Sequence, residues 1–424
     1  MSVQSVMHRR ARRPQDRHSQ LRWSIVTMTC VAMLALPLGS AGASAPAGET
    51  SGEAVKLGII TPKTSATAAN PDTPDAFLAA IKAFNKRGGV GTNGLKLEGI
   101  VCDSRGDANG EVDCARQMEE EGVVATINDL AYNNPSGVVE VMEAAGIPRI
   151  ALGPTDISEF GSSVSYPISA GIIANYIGDA LGFAEDGNTK VTLVRTDAPT
   201  GASFRGFVEP LFTAAGVEIV GDVALATGAT DYAPYVADIE RTGADAALLA
   251  IDDTAATQLI AAMAQLNVKI PLGGHPGTFA LETLRKYKDI TKGTILAESF
   301  PFPSKNNAKT FPGLKRFFAD MKASGKENLQ LKNLQTTSFY PWVGILAFVN
   351  LTQDLDAFTN DTVTEALQTV QDIDLLGLTP PWTPSTPGFG LFTSSSNHFV
   401  FLSRFDGKNV VTDEEAIDII QYTG

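Results

Sequence analysis

The sequence predicts an α/β protein of two lobes, each built on a mostly parallel β-sheet with helices on its faces. Strand-like and helix-like segments alternate from Val55 to residue 152, and a second alternating series begins near Ile172. Between them, the Gly- and Pro-containing stretch 153–167 breaks the rhythm and suits a crossing between lobes. The 424 residues are enough for two domains with separate cores.

The first series opens with residues 55–60, which are apolar except for Lys56 and predict a buried strand. Thr73 and Pro74 are typical of a helix start, and Phe77, Ile81 and Phe84 follow at helical spacing. By the same patterns the series continues with strand 95–101, helix 111–121, strand 123–127, helix 136–145 and strand 147–152.

The second series has the same alternation. Its helices are predicted at 172–181, 203–215, 232–241 and 255–266, and its strands at 190–194, 217–225, 246–251, 270–272 and 294–299. Each series is expected to form a sheet with right-handed helical crossovers.

After Pro301 the pattern is helical until a Pro-rich stretch at 380–387, and a hairpin follows around Asp406-Gly407. The chain is therefore expected to finish one lobe, build the other and return to each. The predicted helices are 313–323, 339–355 and 362–370, and the hairpin strands are 399–402 and 410–411. We assign 55–155 and 301–375 to lobe 1, and 160–299 and 388–415 to lobe 2.

The N-terminal residues predict export. Six arginines precede an apolar run at 23–38, and small residues follow it, as in a secretory signal peptide. We expect cleavage after Ala43, with 44–54 as a flexible leader, and an extracytoplasmic protein. The run is short for a membrane span, although an uncleaved anchor stays open as an alternative. Cys30 follows Thr29 inside the run, so a lipid anchor is not expected.

The net negative charge of the chain excludes some classes of binding partner. The chain has 33 Lys and Arg against 47 Asp and Glu, a formal net charge of -14, and removal of an Arg-rich leader makes the rest more acidic still. Nucleic acids and anionic lipids are bound through excess positive charge, so neither is expected as a partner. A small neutral or weakly charged ligand remains open.

Cysteine and histidine are scarce. Beyond residue 43 only Cys102 and Cys114 occur, and an even pair in an oxidising compartment predicts one disulfide. His275 and His398 are the only histidines in the same region, and no CxxC is present. Neither a metal site nor a cofactor is therefore expected.

No motif supports catalysis. The segment 89–94 fits G-x-G-x-x-G, but it follows a predicted helix and precedes a predicted strand, the reverse of the dinucleotide-binding context. Signatures of a phosphate-binding loop, a zinc protease or a serine hydrolase are absent from the sequence. We expect a protein that is not an enzyme. A secreted hydrolase that uses His275 is the alternative.

Binding residues are expected where strands end, because helix N-termini and loops meet there in parallel sheets. Asp253 is alternatively the N-cap of the next helix, His275 a turn residue, and Tyr132 and Tyr340 core aromatics. The strand ends are 61–65, 129–134, 153–155, 196–201, 252–254 and 274–277.

Six short strings occur along the chain in a characteristic order. They are Ala80–Gly91 (AIKAFNKRGGVG), Cys102-Asp103, Cys114-Ala115-Arg116, Ala214–Val217 (AAGV), Ala229–Tyr232 (ATDY) and Gly243–Ala246 (GADA). In these strings the chain resembles the leucine/isoleucine/valine-binding protein family, the type 1 substrate-binding proteins of ABC importers. The resemblance covers residues 55 to 411.

The resemblance implies two β-α lobes joined by a three-stranded hinge, a monomer that closes over a small ligand, and an ABC permease in the cytoplasmic membrane as partner. It implies a pocket made of Tyr132, Asn133, Gly153, Pro154 and Thr155 in lobe 1, with contacts near Thr200, Asp253 and Pro276 in lobe 2 and Tyr340 contributing from the returning helix. His275, next to Pro276 at a strand end, is a further candidate.

The ligand stays open at this point. The family's branched-chain amino-acid binders have an acid near the position of Pro276 and an aromatic near that of Thr200, and this chain has neither. An amino acid, an amide and an organic acid are all compatible with the rest. A sensor of the same fold that serves a receptor is the alternative to a transport protein.

Overall fold

A computed structural model describes residues 54–65, 69–150, 153–154, 156–326, 338–389 and 392–422. Within these ranges the chain forms two sheets, each covered by helices, as the alternation predicts. The predicted signal peptide and most of the leader lie outside the described residues. No helix in the described ranges is both long and apolar enough to span a membrane.

The first sheet has five strands in the order β2-β1-β3-β4-β5, and all its pairs are parallel. Its strands are β1 Val55–Thr61, β2 Leu97–Asp103, β3 Ala125–Ile127, β4 Arg149–Ile150 and β5 Ser165–Tyr166. The helices that follow them in sequence are α1 Thr73–Lys86, α2 Ala108–Glu121, α3 Pro135–Ala145 and α4 Ile157–Gly161.

The second sheet is mostly parallel, with an antiparallel edge. Its order is β12-β11-β10-β9-β8-β6-β7, and β13 pairs with β11. The strands are β6 Lys190–Asp197, β7 Glu218–Ala226, β8 Ala246–Ala250, β9 Leu272–Gly273, β10 Ile295–Glu298, β11 Phe399–Phe405, β12 Val410–Thr412 and β13 Ile417–Asp418. The helices are α5 Gly171–Glu185, α6 Pro199–Ala214, α7 Ala233–Arg241, α8 Asp253–Leu266, α9 Leu281–Lys286 and α10 Lys288–Thr291.

Three later helices return to the first lobe. They are α11 Pro312–Ala323, α12 Tyr340–Leu351 and α13 Asn360–Thr369. Trp342 of α12 and Leu314 of α11 share one buried cluster with Leu57 of β1 and Phe77 of α1. Burying such side chains is the main source of stability for this lobe.

The predicted hairpin and disulfide are both present. Strands β11 and β12 pair antiparallel around a turn in which Asp406 N donates to Asn409 O and Gly407 takes a φ of 101°, which favours glycine. Cys102 on β2 and Cys114 on α2 form a disulfide with their Cα atoms 5.5 Å apart.

The structure corrects the crossing at 153–167. The sequence placed residues from 160 onward in lobe 2, but α4 and β5 lie in this stretch and β5 pairs with β4 in the first sheet. A five-residue helix and a two-residue strand are too short to produce a periodic pattern. The boundary between the sheets therefore falls after Tyr166.

In the part of the chain that the structure describes, three crossings join the lobes, after β5, after β10 and before β11. Buried polar side chains connect these crossings. The hydroxyls of Ser169 and Ser299 lie 3.2 Å apart, and Ser299 Oγ also accepts the Ala170 amide at 3.0 Å. Asn397 Nδ2 donates to Ile168 O. The three crossings lie side by side, as expected of the hinge that the resemblance implies.

Candidate functional site

A cleft of about 790 Å³ lies where strands of both sheets end, next to the three crossings. Its size is within the range of roughly 300–1,000 Å³ that small-molecule sites occupy. From lobe 1 its wall includes Asn128, directly after β3, and Gly153 and Pro154, which follow β4. Lobe 2 contributes Asp252 after β8, His275 after β9 and Glu298, the last residue of β10. This is the expected place for a ligand in an open parallel sheet.

Most of the predicted site residues lie on this wall. They are Tyr132, Gly153, Pro154, Asp253, His275 and Tyr340. The N-cap of α8 is Asp252, whose side chain accepts the Ala255 amide, rather than Asp253. Asp253 is thereby left for the cleft. Whether these residues contact a ligand remains a prediction.

The other three predicted site residues are Asn133, Thr155 and Thr200. Asn133 does not line the cleft: its amide donates to the buried carboxylate of Glu111, and its side chain donates to Gly106 O at 3.0 Å. Asn133 therefore shapes the turn that carries Tyr132. Thr155 lies outside the described residues, and Thr200 is described only as backbone of α6.

Tyr132 is an open part of the wall. The residue is 41% exposed and lines the cleft. Burial, together with the negative charges of Glu159 and Glu111, raises the pKa of Tyr132 to about 12, against a hydrogen bond with Asn70 that lowers it. The hydroxyl is therefore protonated at neutral pH and can donate to a ligand.

A buried ionic network holds the lobe 1 side of the cleft. Arg149 of β4 is 0% exposed; its Nε donates to Asp129 Oδ2 at 3.0 Å and its Nη2 to Glu159 Oε1 at 2.8 Å. Thr126 Oγ1 also donates to Asp129 Oδ2, at 2.6 Å. Burial works to lower the pKa of Arg149, but Glu159 and Asp129 raise it on balance. The network ties the ends of β3 and β4 to α4.

At the floor of the cleft, one hydrogen bond joins the two lobes. Tyr340, which packs in the lobe 1 core through α12, donates from its hydroxyl to Glu298 Oε1 at 2.6 Å. The Ser299 amide donates to the same oxygen at 2.9 Å. Glu298 is 5% exposed. The sequence did not single out Glu298, because it lies inside the predicted strand 294–299.

His275 faces this floor in its neutral form. Its Nδ1 accepts the Gly277 amide at 3.0 Å, which places the ring proton on Nε2. Burial lowers the pKa of His275 below 6.5, although the charge of Glu298 works in the opposite direction. The ring therefore offers a donor to the cleft at neutral pH, but no positive charge.

Asp179 of α5 is a second buried acid behind the floor. Its Oδ1 accepts the Ala297 amide at 3.2 Å, and its Oδ2 has no partner among the described residues. Burial raises the pKa of Asp179 well above 3.8; the Ala297 hydrogen bond opposes this rise and the charge of Glu298 adds to it. Gly178 lets α5 lie directly on β10, since any side chain there would collide with Ala297.

We expect the stability of the Asp179→Asn variant to depend less on pH than that of the wild type, as pH rises from about 3.8 to the raised pKa of the folded protein. Asp179 titrates near 3.8 when unfolded and higher when folded, so between these two pKa values the unfolded chain binds fewer protons. The wild type therefore loses stability as pH rises through this window, and the variant lacks that loss. Urea unfolding at a series of pH values measures the free energy of unfolding of the wild type and the variant. The control is Asp289→Asn, the same substitution at an exposed position. Equal pH dependence in all three proteins would contradict the assignment.

Among the described residues, no group of three or more His, Cys, Asp or Glu side chains is arranged to hold a metal ion.

Two α/β lobes, linked by three crossings and enclosing a cleft at their strand ends, define a bilobed binding protein. The chain belongs to the periplasmic binding protein family, whose sequence profile matches residues 54–389. This confirms the type 1 assignment that the resemblance suggested. Members of this family are extracytoplasmic solute-binding proteins of transport systems.

Solved structures share the fold at low identity. A substrate-binding periplasmic protein from Ralstonia solanacearum is 17% identical with a TM-score of 0.65, covering 85% of this chain and 100% of its own. A branched chain amino acid ABC transporter periplasmic ligand-binding protein from Burkholderia xenovorans is 16% identical with a TM-score of 0.69, covering 87% and 97%.

A third, from R. palustris, is a solute binding protein in complex with 4-hydroxybenzoate. It is 15% identical with a TM-score of 0.63, covering 86% of this chain and 96% of its own. No curated protein matches the chain at a significant level.

Proposed function

We propose that this protein is the exported solute-binding component of an ABC importer, which captures a small molecule between its lobes and delivers it to a permease. The observation that carries the proposal is the cleft itself, because residues of both lobes line it beside the crossings that link them. Its role is binding rather than catalysis, and we infer that it acts as a monomer outside the cytoplasm.

The geometry supports capture by closure. A ligand that touches both walls makes its full set of contacts only when the lobes come together, so it shifts the population toward the closed form. The crossings are the places where such a motion is absorbed. A permease can then distinguish the closed, loaded protein from the open one.

Ligand binding should raise thermal stability. A ligand at 100 to 1,000 times its dissociation constant adds about 2.7 to 4.1 kcal/mol to the free energy of unfolding. The measurement is a thermal-shift series of the purified protein against amino acids, amides, amines, carboxylates and sugars. We expect one class to shift the midpoint by several degrees.

Tyr132→Ala tests whether that shift arises in the cleft. We expect the variant to lose most of it, because Tyr132 lines the wall. Phe207→Ala is the matched control, since it removes an aromatic ring of similar exposure, 40% against 41%, from a position that does not line the cleft. If no compound stabilises the wild type, or if Tyr132→Ala keeps the whole shift, binding in this cleft is wrong.

A further inference from the structure

We infer that the ligand carries a protonated amine, and that Glu298 and Asn175 at the floor of the cleft receive it. This inference rests on the proposed function and gives it a chemical class. The argument comes from the charges, the unpartnered atoms and the arrangement of α5 on β10.

The described wall of the cleft has negative charge without a positive counterpart. Asp252, Asp253 and Glu298 line it, and no Lys or Arg is among the lining residues that the structure describes. Asp252 is partly occupied as the cap of α8. Because His275 is neutral at neutral pH, it does not balance these acids. A carboxylate ligand would therefore be repelled by the wall, and a cation attracted.

Glu298 is the most buried of these acids. Among the described residues no Lys, Arg or His nitrogen lies within ion-pair distance of it, and its two hydrogen bonds here, from Tyr340 and Ser299, both reach Oε1. Burying a carboxylate away from water costs free energy unless a positive charge pairs with it. The ammonium group of a ligand in the cleft would supply that positive charge.

Asn175 is an independent observation on the same floor. It is 2% exposed, it lines the cleft, and its Oδ1 has no hydrogen-bond partner among the described residues. Asn175 lies one helical turn before Asp179, on the same face of α5. Since Asp179 binds the Ala297 amide beside Glu298, the free acceptor of Asn175 lies on the helix face that packs against β10. A buried acceptor without a donor calls for a ligand N-H.

On the opposite wall Asn128 supplies the complementary group. It is 2% exposed, and its Nδ2 is a donor without a partner among the described residues. It suits a carbonyl, hydroxyl or carboxylate oxygen at the other end of the ligand. Simple amines, amino acids and amino amides therefore share the required ammonium, and the test separates them.

The test is titration calorimetry of the purified protein with four probe sets built on common side chains. These are amines (tyramine, isopentylamine), amino acids (tyrosine, leucine), amino amides (tyrosinamide, leucinamide) and carboxylates (4-hydroxyphenylacetate, 4-methylpentanoate), extended by the compound that gives the largest thermal shift. We expect every binder to carry an amine. If the tightest binder has no amine, the inference is wrong but the proposed function still holds. If none of the compounds binds, both are wrong.

Glu298→Gln then removes the charge while keeping the shape. We expect it to weaken binding of the amine about ten- to hundredfold, the range of a charge-assisted hydrogen bond. The matched control is Glu240→Gln, the same change on the exposed face of α7, which should bind like the wild type. Asn175→Leu provides a second variant, also expected to weaken binding, should Glu298→Gln fail to fold. Unchanged affinity in a folded Glu298→Gln or Asn175→Leu protein overturns the inference.

Discussion

Replacing Arg149 with Met is expected to lower the free energy of unfolding of lobe 1 by about 3–5 kcal/mol. The guanidinium is fully buried and pairs with two acids, Asp129 and Glu159, which are also buried. Methionine fills much of the volume but removes the cation with which both acids pair. The cost comes mainly from the stranded charges, because an uncompensated buried charge is far less favourable than a missing contact.

Urea unfolding followed by tryptophan fluorescence measures this loss, since Trp342 and Trp382 are buried in lobe 1. Arg241→Met is the matched control. It breaks an exposed pair with Asp238 and should cost no more than about 1 kcal/mol. Adding Asp129→Asn and Glu159→Gln to Arg149→Met should recover part of the stability. An equal loss in the two arginine variants would show that the buried network is not what holds this lobe.

The Cys102→Ala/Cys114→Ala double variant is expected to lose about 3 kcal/mol of the free energy of unfolding. The bridge closes a loop across a sequence separation of 12 residues, and its removal lets the unfolded chain explore more conformations. The loss should appear in lobe 1, where β2 and α2 lie.

Unfolding of the wild type with and without dithiothreitol supplies the control for this variant. Reduced wild type should match the double variant, because both lack the cross-link, while the reductant should not change the variant itself. A reduced wild type as stable as the oxidised protein would contradict the role assigned to the bridge.

The architecture was predictable because its signals are local. Strand β1 is apolar except for Lys56 and its last residue, Thr61, and this composition is typical of a strand covered on both faces. The turn at Asp406-Gly407 likewise announces the hairpin that β11 and β12 form. Two elements that the sequence missed, α4 and β5, depend on the Asp156 cap and on pairing with β4, respectively, rather than on their own periodicity.

The candidate site was predictable only in part. Topology directs attention to strand ends, and it places Tyr132, Pro154, Asp253 and His275 correctly on the wall. The sequence did not identify Glu298 as a site residue, because Glu298 lies inside a predicted strand. Its hydrogen-bond partner Tyr340 is also 42 residues away in the chain.

The sequence did not identify the two asparagines of the inferred ligand site, for a different reason. Asn128 and Asn175 are short polar residues whose unpartnered atoms become visible only when the packing around them is known. Sequence patterns record which faces are apolar, not which buried atoms lack a partner.

The central claim is that a ligand is captured between the two lobes, and small-angle X-ray scattering tests it most directly. The protein is measured free and saturated with the compound that stabilises it, alongside Tyr132→Ala as a variant with a damaged cleft. The account predicts that the ligand lowers the radius of gyration of the wild type and leaves that of the variant unchanged. A ligand that binds at full stoichiometry without any change in the wild-type radius of gyration would contradict it.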